Sequence, residues 1–206
     1  MLSDNYKKTQ QAYCDLGKQY IENSASIDLP LLPEFMKLLP KGGKVLDAGC
    51  AGGRDSYKFV HEGFLVTGID VVDVFIEEAI KKVSQAKFIK MDLLNLKFPK
   101  NYFDAIWAQA ILLHMGRKDI PKILETFHNI LKKNGKIHIA VKKGNGSGWK
   151  ADKLSNNKKR FFTYFSKKEI ENYITAAGFK VIFSGERADD AARKNIKWII
   201  VWAEKN

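Results

Sequence analysis

From Lys44 onward, short apolar runs of strand length alternate with segments whose apolar residues recur at helical spacing. This alternation constrains the fold more than any other feature of the chain. Strand-like runs fall at 44–48, 64–70, 87–91, 104–108, 136–141, 180–184 and 196–203, with helical patterns at 54–61, 74–83, 119–131 and 167–177 between them. Strands separated by helices join through right-handed crossovers, so the expected class is α/β, a mostly parallel sheet with helices on both faces. Ahead of this pattern, residues 3–25 read as one polar helix carrying Tyr6, Tyr13, Leu16 and Tyr20. Leu31 to Leu39 reads as a short apolar helix opened by Asp28-Leu29-Pro30 and closed by Pro40 and Gly42-Gly43. Residues 144–157, rich in glycine, serine and lysine, read as one long loop. A length of 206 residues suits a single domain, 1–206, with an N-terminal helical segment 1–40 and a core 41–206.

Composition sets further bounds. With 45% hydrophobic and 28% charged residues the chain can bury a core, which excludes wholesale disorder. No apolar run reaches the roughly 18 residues of a membrane-spanning helix, and Met1 to Lys8 lacks the apolar centre of a secretory signal. Cys14 and Cys50 are too few for a disulfide framework or a cysteine-built zinc site, and His61, His128 and His138 show no ligand spacing. The expectation is therefore no metal, no membrane and a reducing cytoplasm. The net charge of +12 invites an anionic partner, yet all basic residues but Arg54, Arg117, Arg160, Arg187 and Arg193 are lysine, whereas base readers lean on arginine. The densest block runs from Lys142-Lys143 through Lys150, Lys153 and Lys158-Lys159-Arg160 to Lys167-Lys168. It reads as a solvated face or, alternatively, as a surface for an anion such as RNA.

The segment Val45-Leu46-Asp47-Ala48-Gly49-Cys50-Ala51-Gly52-Gly53-Arg54-Asp55-Ser56 lies where a strand meets a helix, the place where open α/β sheets bind ligands. Small residues let the backbone approach a ligand closely, and the next helix offers free N–H groups. No Gly-Lys-Ser/Thr follows, which excludes a Walker loop, and the spacing fits the dinucleotide fingerprint badly. What remains is an acid, Asp47, two places before the first glycine, which argues for a ligand with a positive group. Asp70 ends the second strand, placed for ribose hydroxyls, and Asp92 follows the third, placed for an exocyclic amine. A sugar, a base and a cation together describe a nucleoside sulfonium or ammonium, with S-adenosylmethionine as the leading candidate. The structural alternative is that each acid merely caps a turn or helix.

On these motifs the chain resembles the class I S-adenosylmethionine-dependent methyltransferases from about Lys44 to Val181. It looks closest to small bacterial tellurite-resistance-type enzymes, which share a Gly-Arg-Asp-Ser-like helix start and a Phe-Asp-Ala-Ile-Trp-Ala strand leading to Leu-Leu-His. The resemblance implies a Rossmann-like seven-stranded sheet whose last strand, 196–203, is antiparallel, and an N-terminal lid. It implies that Asp47, Gly49, Cys50, Ala51, Gly52 and Gly53 face the methionine part of the cofactor, Asp70 the ribose, and Asp92 and Leu93 the adenine, with Arg54, Val71 and Val72 as further cofactor candidates. Ala108, Gln109 and Ala110 would lie near the sulfonium. One departure is Ala51, which replaces the usual middle glycine and resists positive φ.

In such a fold the acceptor sits over the ends of the fourth and fifth strands. His114, after the apolar Ala110-Ile111-Leu112-Leu113, is the candidate base, its ordinary pKa near 6.5 being suitable, with a purely structural role as the alternative. Tyr13 and Tyr20, seven apart on the first helix, read as core or as part of a lid over the cofactor, and count among the acceptor candidates. Lys143, Trp149, Arg160 and Phe162 are expected at the acceptor pocket, Trp149 because exposed loop aromatics often touch ligands. Trp198 and Trp202 read as core or interface. The resulting expectation is a methyltransferase acting on a small molecule. An RNA methyltransferase docked through the basic surface stands as the rival, and a non-catalytic S-adenosylmethionine sensor as the third reading. The sequence carries no code for the acceptor or for the oligomeric state.

Overall fold

A computed structural model describes residues 4–151, 153–189 and 196–206. Met1, Leu2 and Ser3, where the signal reading and the predicted helix began, together with Asp152 of the predicted loop and Arg193, lie outside the described residues. The N-terminal pattern folds as α1 (Asp4–Leu16) and α2 (Lys18–Ser24), followed by α3 (Leu32–Met36). Next come β1 (Lys44–Ala48), α4 (Arg54–His61), β2 (Leu65–Asp70), α5 (Asp73–Lys82), β3 (Lys87–Lys90), β4 (Phe103–Gln109), α6 (Ile120–Ile130) and β5 (Leu131–Lys142). The rest is β6 (Ser147–Lys150), β7 (Arg160–Thr163), α7 (Lys167–Ala176), β8 (Phe179–Ala188) and β9 (Lys197–Lys205).

Seven strands form one sheet in the order β3-β2-β1-β4-β5-β9-β8. β1 pairs in parallel with β2 and β4, β2 with β3, and β4 with β5, while β9 runs antiparallel between β5 and β8. The order reverses between β1 and β4, which opens a crevice at the carboxyl ends of those two strands. Both faces are covered because successive side chains point to opposite sides. Ile106 and Ala108 of β4 join Phe127 of α6 and Ile170 of α7, whereas Ala105 and Trp107 join Phe35 of α3 and Phe59 of α4. Trp198 and Trp202 belong to this second core. Among the described residues, no helix is long and apolar enough to cross a membrane.

Two local readings need correction. The predicted helix 3–25 is broken at Gly17, whose φ of 52° and ψ of −136° lie in territory that only glycine enters freely. The predicted long loop contains β6, which pairs antiparallel with β7 as a separate two-stranded sheet, Trp149 opposite Phe161 and Lys150 opposite Arg160. The strands are four residues each and their partners ten or more residues apart, so neither shows a hairpin turn signal of the short kind.

Candidate functional site

The floor of the crevice is the turn from Gly49 to Gly53. The N–H groups of Gly49 and Cys50 both donate to Ile69 O at 2.9 Å, which pins the turn to β2. Ala51 donates its N–H to Asp70 Oδ2 at 3.0 Å, while Asp70 Oδ1 accepts from Val71 N–H at 2.7 Å and Val72 N–H at 3.1 Å. Burial pushes the Asp70 carboxyl up to about 6, and those three backbone donors work against the rise. Gly52 sits against α2: a Cβ there would lie 2.6 Å from Ile21 Cγ2. Ala51 adopts φ 44°, the left-handed conformation expected to resist alanine. Because that region costs an L-residue about 1–2 kcal/mol and glycine loses about 0.4–1 kcal/mol to unfolded-state freedom, Ala51→Gly is expected to stabilise the fold. Thermal unfolding should register a rise of about 2–4 °C per kcal/mol gained; an unchanged or lower Tm would contradict the strain.

Behind the turn lies a compact acidic network. Ser56 Oγ donates to Asp47 Oδ2 at 2.6 Å, and Asp55 accepts from Arg54 Nε at 2.7 Å and from Trp107 Nε1 at 2.9 Å. Burial and the neighbouring Asp55 charge raise the Asp47 carboxyl above its ordinary value. Arg54 Nη1 donates to Ser24 O at 3.0 Å, tying the end of α2 to the start of α4. Asp92 caps a 3-10 turn (Leu93–Asn95), accepting from Leu94 N–H and from the Tyr6 hydroxyl, both at 2.9 Å. Burial and the Asp92 charge keep that phenol protonated, so Tyr6 is the donor.

α1 and α2 roof the crevice. The Tyr13 hydroxyl accepts from Arg160 Nη1 at 2.6 Å and lies 2.9 Å from His114 Nε2, while His114 Nδ1 lies 2.8 Å from Phe161 O. A carbonyl can only accept, so Nδ1 carries the proton and Nε2 accepts from Tyr13 O–H. Burial, then the Arg160 charge, pushes the imidazole down to about 3. His114 is therefore not the accessible base with an ordinary pKa that the sequence suggested: it is 5% exposed and its free lone pair is engaged by Tyr13. Tyr13 meets Tyr20 edge-on at 4.9 Å, Tyr20 stacks on Phe75 at 5.7 Å, and the Arg160 guanidinium lies over the rings of Tyr13, Tyr20 and Phe162.

One cavity joins these groups. Of the cofactor candidates, Asp47, Gly49, Cys50, Ala51, Gly52, Arg54, Asp70, Val71, Val72, Leu93, Gln109 and Ala110 line it, as do the acceptor candidates Tyr13, Tyr20, His114, Arg160 and Phe162. Gly53 caps α4 instead, and Asp92 stands behind Tyr6, which is itself in the lining. Two acceptor candidates fall elsewhere. Lys143 points outward and pairs with Glu186 Oε2 at 2.6 Å, and Trp149 packs edge-on against Phe161 at 5.7 Å on the outer side of the hairpin. The lysine that does reach the cavity is Lys142, 5% exposed, its Nζ 3.6 Å from the centre of the Phe162 ring. Strand alternation carries the signal for this, since neighbours on β5 face opposite ways. Tyr6, Phe75 and Asp55 are further lining residues that motif reading passed over. His61 is exposed, His128 packs on Phe179, and His138 is buried. Among the described residues no cluster suited to a metal ion occurs.

Comparison with known proteins adds four findings. Residues 45–135 match the family described as methyltransferase domain. Phosphoethanolamine N-methyltransferase 3 of Arabidopsis thaliana is 29% identical over 163 residues, 76% of this chain and 33% of that protein; the chain thus spans about a third of that relative's length. Among solved structures, 1,6-didemethyltoxoflavin-N1-methyltransferase of Burkholderia thailandensis, with 1,6-didemethyltoxoflavin and S-adenosylhomocysteine bound, superposes with a TM-score of 0.81 at 19% identity, over 100% of this chain and 92% of that one. A TehB-like S-adenosylmethionine-dependent methyltransferase of Corynebacterium glutamicum superposes with a TM-score of 0.66 at 16% identity, over 98% of both chains.

Proposed function

We propose that this chain, which resembles the class I S-adenosylmethionine-dependent methyltransferases in sequence and shares their fold, transfers a methyl group from S-adenosylmethionine to a small-molecule acceptor. One observation carries the reading: a single roofed cavity runs from a floor bearing Asp47 and Asp70 to a cationic and aromatic end built from Tyr13, Tyr20, Arg160, Lys142 and Phe162. The chemistry of the floor suits the cofactor, with Asp47 and Asp70 at two neighbouring strand ends beside the small-residue turn. When bound, the cofactor supplies an electrophilic methyl group on a sulfonium, so the leaving group arrives with it. Asp47 would take the ammonium, Asp70 the ribose hydroxyls, and Asp92 with Leu93 the adenine. The roof excludes water and aligns the acceptor, which is where most of the rate of an in-line displacement arises.

At the acceptor end, Tyr13 orients the pocket. Burial holds its phenol well above its ordinary pKa, so it stays protonated, accepting from Arg160 Nη1 and donating to the neutral His114 Nε2, and the displacement relies on alignment of the acceptor rather than on a base. Buried Arg160 and Lys142 beside aromatic rings suit a compact acceptor that carries an acidic or anionic group near the atom methylated. A phosphorylated amine such as the one named for the plant relative belongs to that class. RNA has less behind it, because Lys143, Lys158 and Lys167 of the basic block pair with Glu186, Asp15 and Glu171, and Lys142 and Arg160 are buried. On this reading residues 1–206 act as one domain, with α1 and α2 as the lid.

Two measurements test the proposal together. Calorimetry should show S-adenosylhomocysteine binding, and a panel of small amines, thiols, phenols and their phosphorylated or carboxylated forms, with bulk tRNA alongside, should release S-adenosylhomocysteine from S-adenosylmethionine. No binding rejects the cofactor. Binding without turnover on any small molecule rejects the small-molecule reading in favour of a sensor, and turnover on tRNA alone rejects it in favour of RNA.

A further inference from the structure

We infer that a buried series of side chains, Trp202 to His138 to Gln109, turns the Gln109 amide so that its N–H2 group faces the cavity and donates to the α-carboxylate of the cofactor's methionine part. The inference rests on the cofactor reading above. An indole N–H can only donate, and Trp202 Nε1 does so to His138 Nδ1 at 2.9 Å. That ring nitrogen is thus unprotonated, and the proton sits on Nε2. Nε2 lies 2.7 Å from Gln109 Oε1, which commits the amide oxygen as acceptor. The amide nitrogen, with two donors, is left for the cavity that Gln109 lines. The imidazole has no freedom to undo this, because Trp107 stacks on it with 3.6 Å between centroids and Phe35 meets it edge-on at 5.8 Å. Burial keeps the ring neutral, well below its ordinary pKa, so the tautomer alone sets the direction.

Position supplies the ligand. Asp47 of β1 is in register with Trp107 of β4, so the two side chains share a face of the sheet. Gln109, two residues beyond Trp107, lies on the same face and one step nearer the rim. Trp107 Nε1 bonds Asp55 in the first turn of α4, which identifies that face as the α4 side. An acid and an oriented amide donor therefore stand on neighbouring strands at the point where the strand order reverses, with Arg54 in the same lining. Such a pair matches the two ends of an α-amino acid: Asp47 meets the ammonium, and Gln109 with Arg54 meets the carboxylate. His138 and Trp202 are positioning residues that act through Gln109.

The test compares two ligands by calorimetry: S-adenosylhomocysteine, and 5′-methylthioadenosine, which has the adenosyl thioether but no amino-acid part. Gln109→Glu keeps an oxygen for His138 and replaces the donors by a group that repels a carboxylate. It should weaken S-adenosylhomocysteine by about tenfold or more, or about 1.4 kcal/mol, with 5′-methylthioadenosine unchanged. Gln109→Leu, a second variant without the added charge, should show the same selectivity. His138→Phe keeps the stacked ring but cuts the relay. It should weaken S-adenosylhomocysteine selectively and add nothing in the Gln109→Glu background, since both act through one contact. Equal weakening of the two ligands, an unchanged S-adenosylhomocysteine affinity in both Gln109 variants, or full additivity of the double variant would overturn the inference. Absence of binding of either ligand to the unmodified chain would reject the cofactor reading, and this inference with it.

Discussion

Tyr13→Phe should lower kcat by about 10²-fold, the scale on which a small misplacement of the reacting groups costs rate. The substitution deletes one oxygen and keeps the ring, so the edge contacts with Tyr20 at 4.9 Å and His114 at 5.4 Å persist. What is lost is the atom shared by Arg160 Nη1 and His114 Nε2. Leaving these two buried groups without it also costs about 1–3 kcal/mol of stability, which a melting curve reads separately. S-adenosylhomocysteine affinity should hold, because the assigned adenosyl contacts lie at the other end of the cavity. Initial rates with an acceptor found in the panel, set beside calorimetry, make the comparison. A kcat within threefold of the unmodified chain, with binding intact, would remove Tyr13 from the alignment of the acceptor. His114 stays neutral above its lowered pKa of about 3, so no rate inflection near pH 6.5 should trace to it.

The second large effect concerns Asp70. Its carboxylate does two things at once: it holds Ala51, Val71 and Val72 by their N–H groups and, in the proposed complex, receives the ribose hydroxyls. Asp70→Asn puts an amide N–H2 where Ala51 N–H needs an acceptor, or turns and loses Val71 and Val72 instead. Charge-assisted bonds of this kind are worth about 1.5–3 kcal/mol, so S-adenosylhomocysteine affinity should fall by about 10- to 150-fold. Acidity should act in the same direction. With the carboxyl raised to about 6, protons compete for it below that pH, and affinity should decline as pH falls through 6. Asp47, also raised, adds to the slope. Titrations at pH 7.5 and 5 with both proteins decide the point: an Asp70→Asn affinity within twofold of the unmodified chain excludes the ribose role.

How much of this was legible in sequence follows from the physics of each element. The sheet was legible because strands buried on both faces are written as uninterrupted apolar runs, and glycine turns mark where they meet helices. The acids at the ends of β1, β2 and β3 were legible for the same reason, since strand ends fix their place on the rim. Trp149 was misplaced because β6 and β7 are four residues each and joined by a connection far longer than a tight hairpin turn, and pairing alone decides which side chains face inward. Lys142 and Lys143 were exchanged by a single step of strand parity. His114 does line the cavity, but its pKa depends on burial by α1, more than 100 positions away in the chain, and on Arg160 in β7, which a local reading does not reach. Gly17 is a further case: a polar pattern with helical spacing does not reveal a residue whose φ and ψ interrupt the helix.

The short hairpin gives the architecture a division of labour. Arg160 and Phe162 reach the cavity from β7, whereas the acids and the glycine turn reach it from the large sheet. On the proposed reading, exchanging side chains on β7, or altering the residues that connect it to β6, would re-tailor what is methylated and leave untouched the cradle proposed for the methyl donor. A scaffold arranged this way acquires new clients by editing one small appendage, without rebuilding its engine.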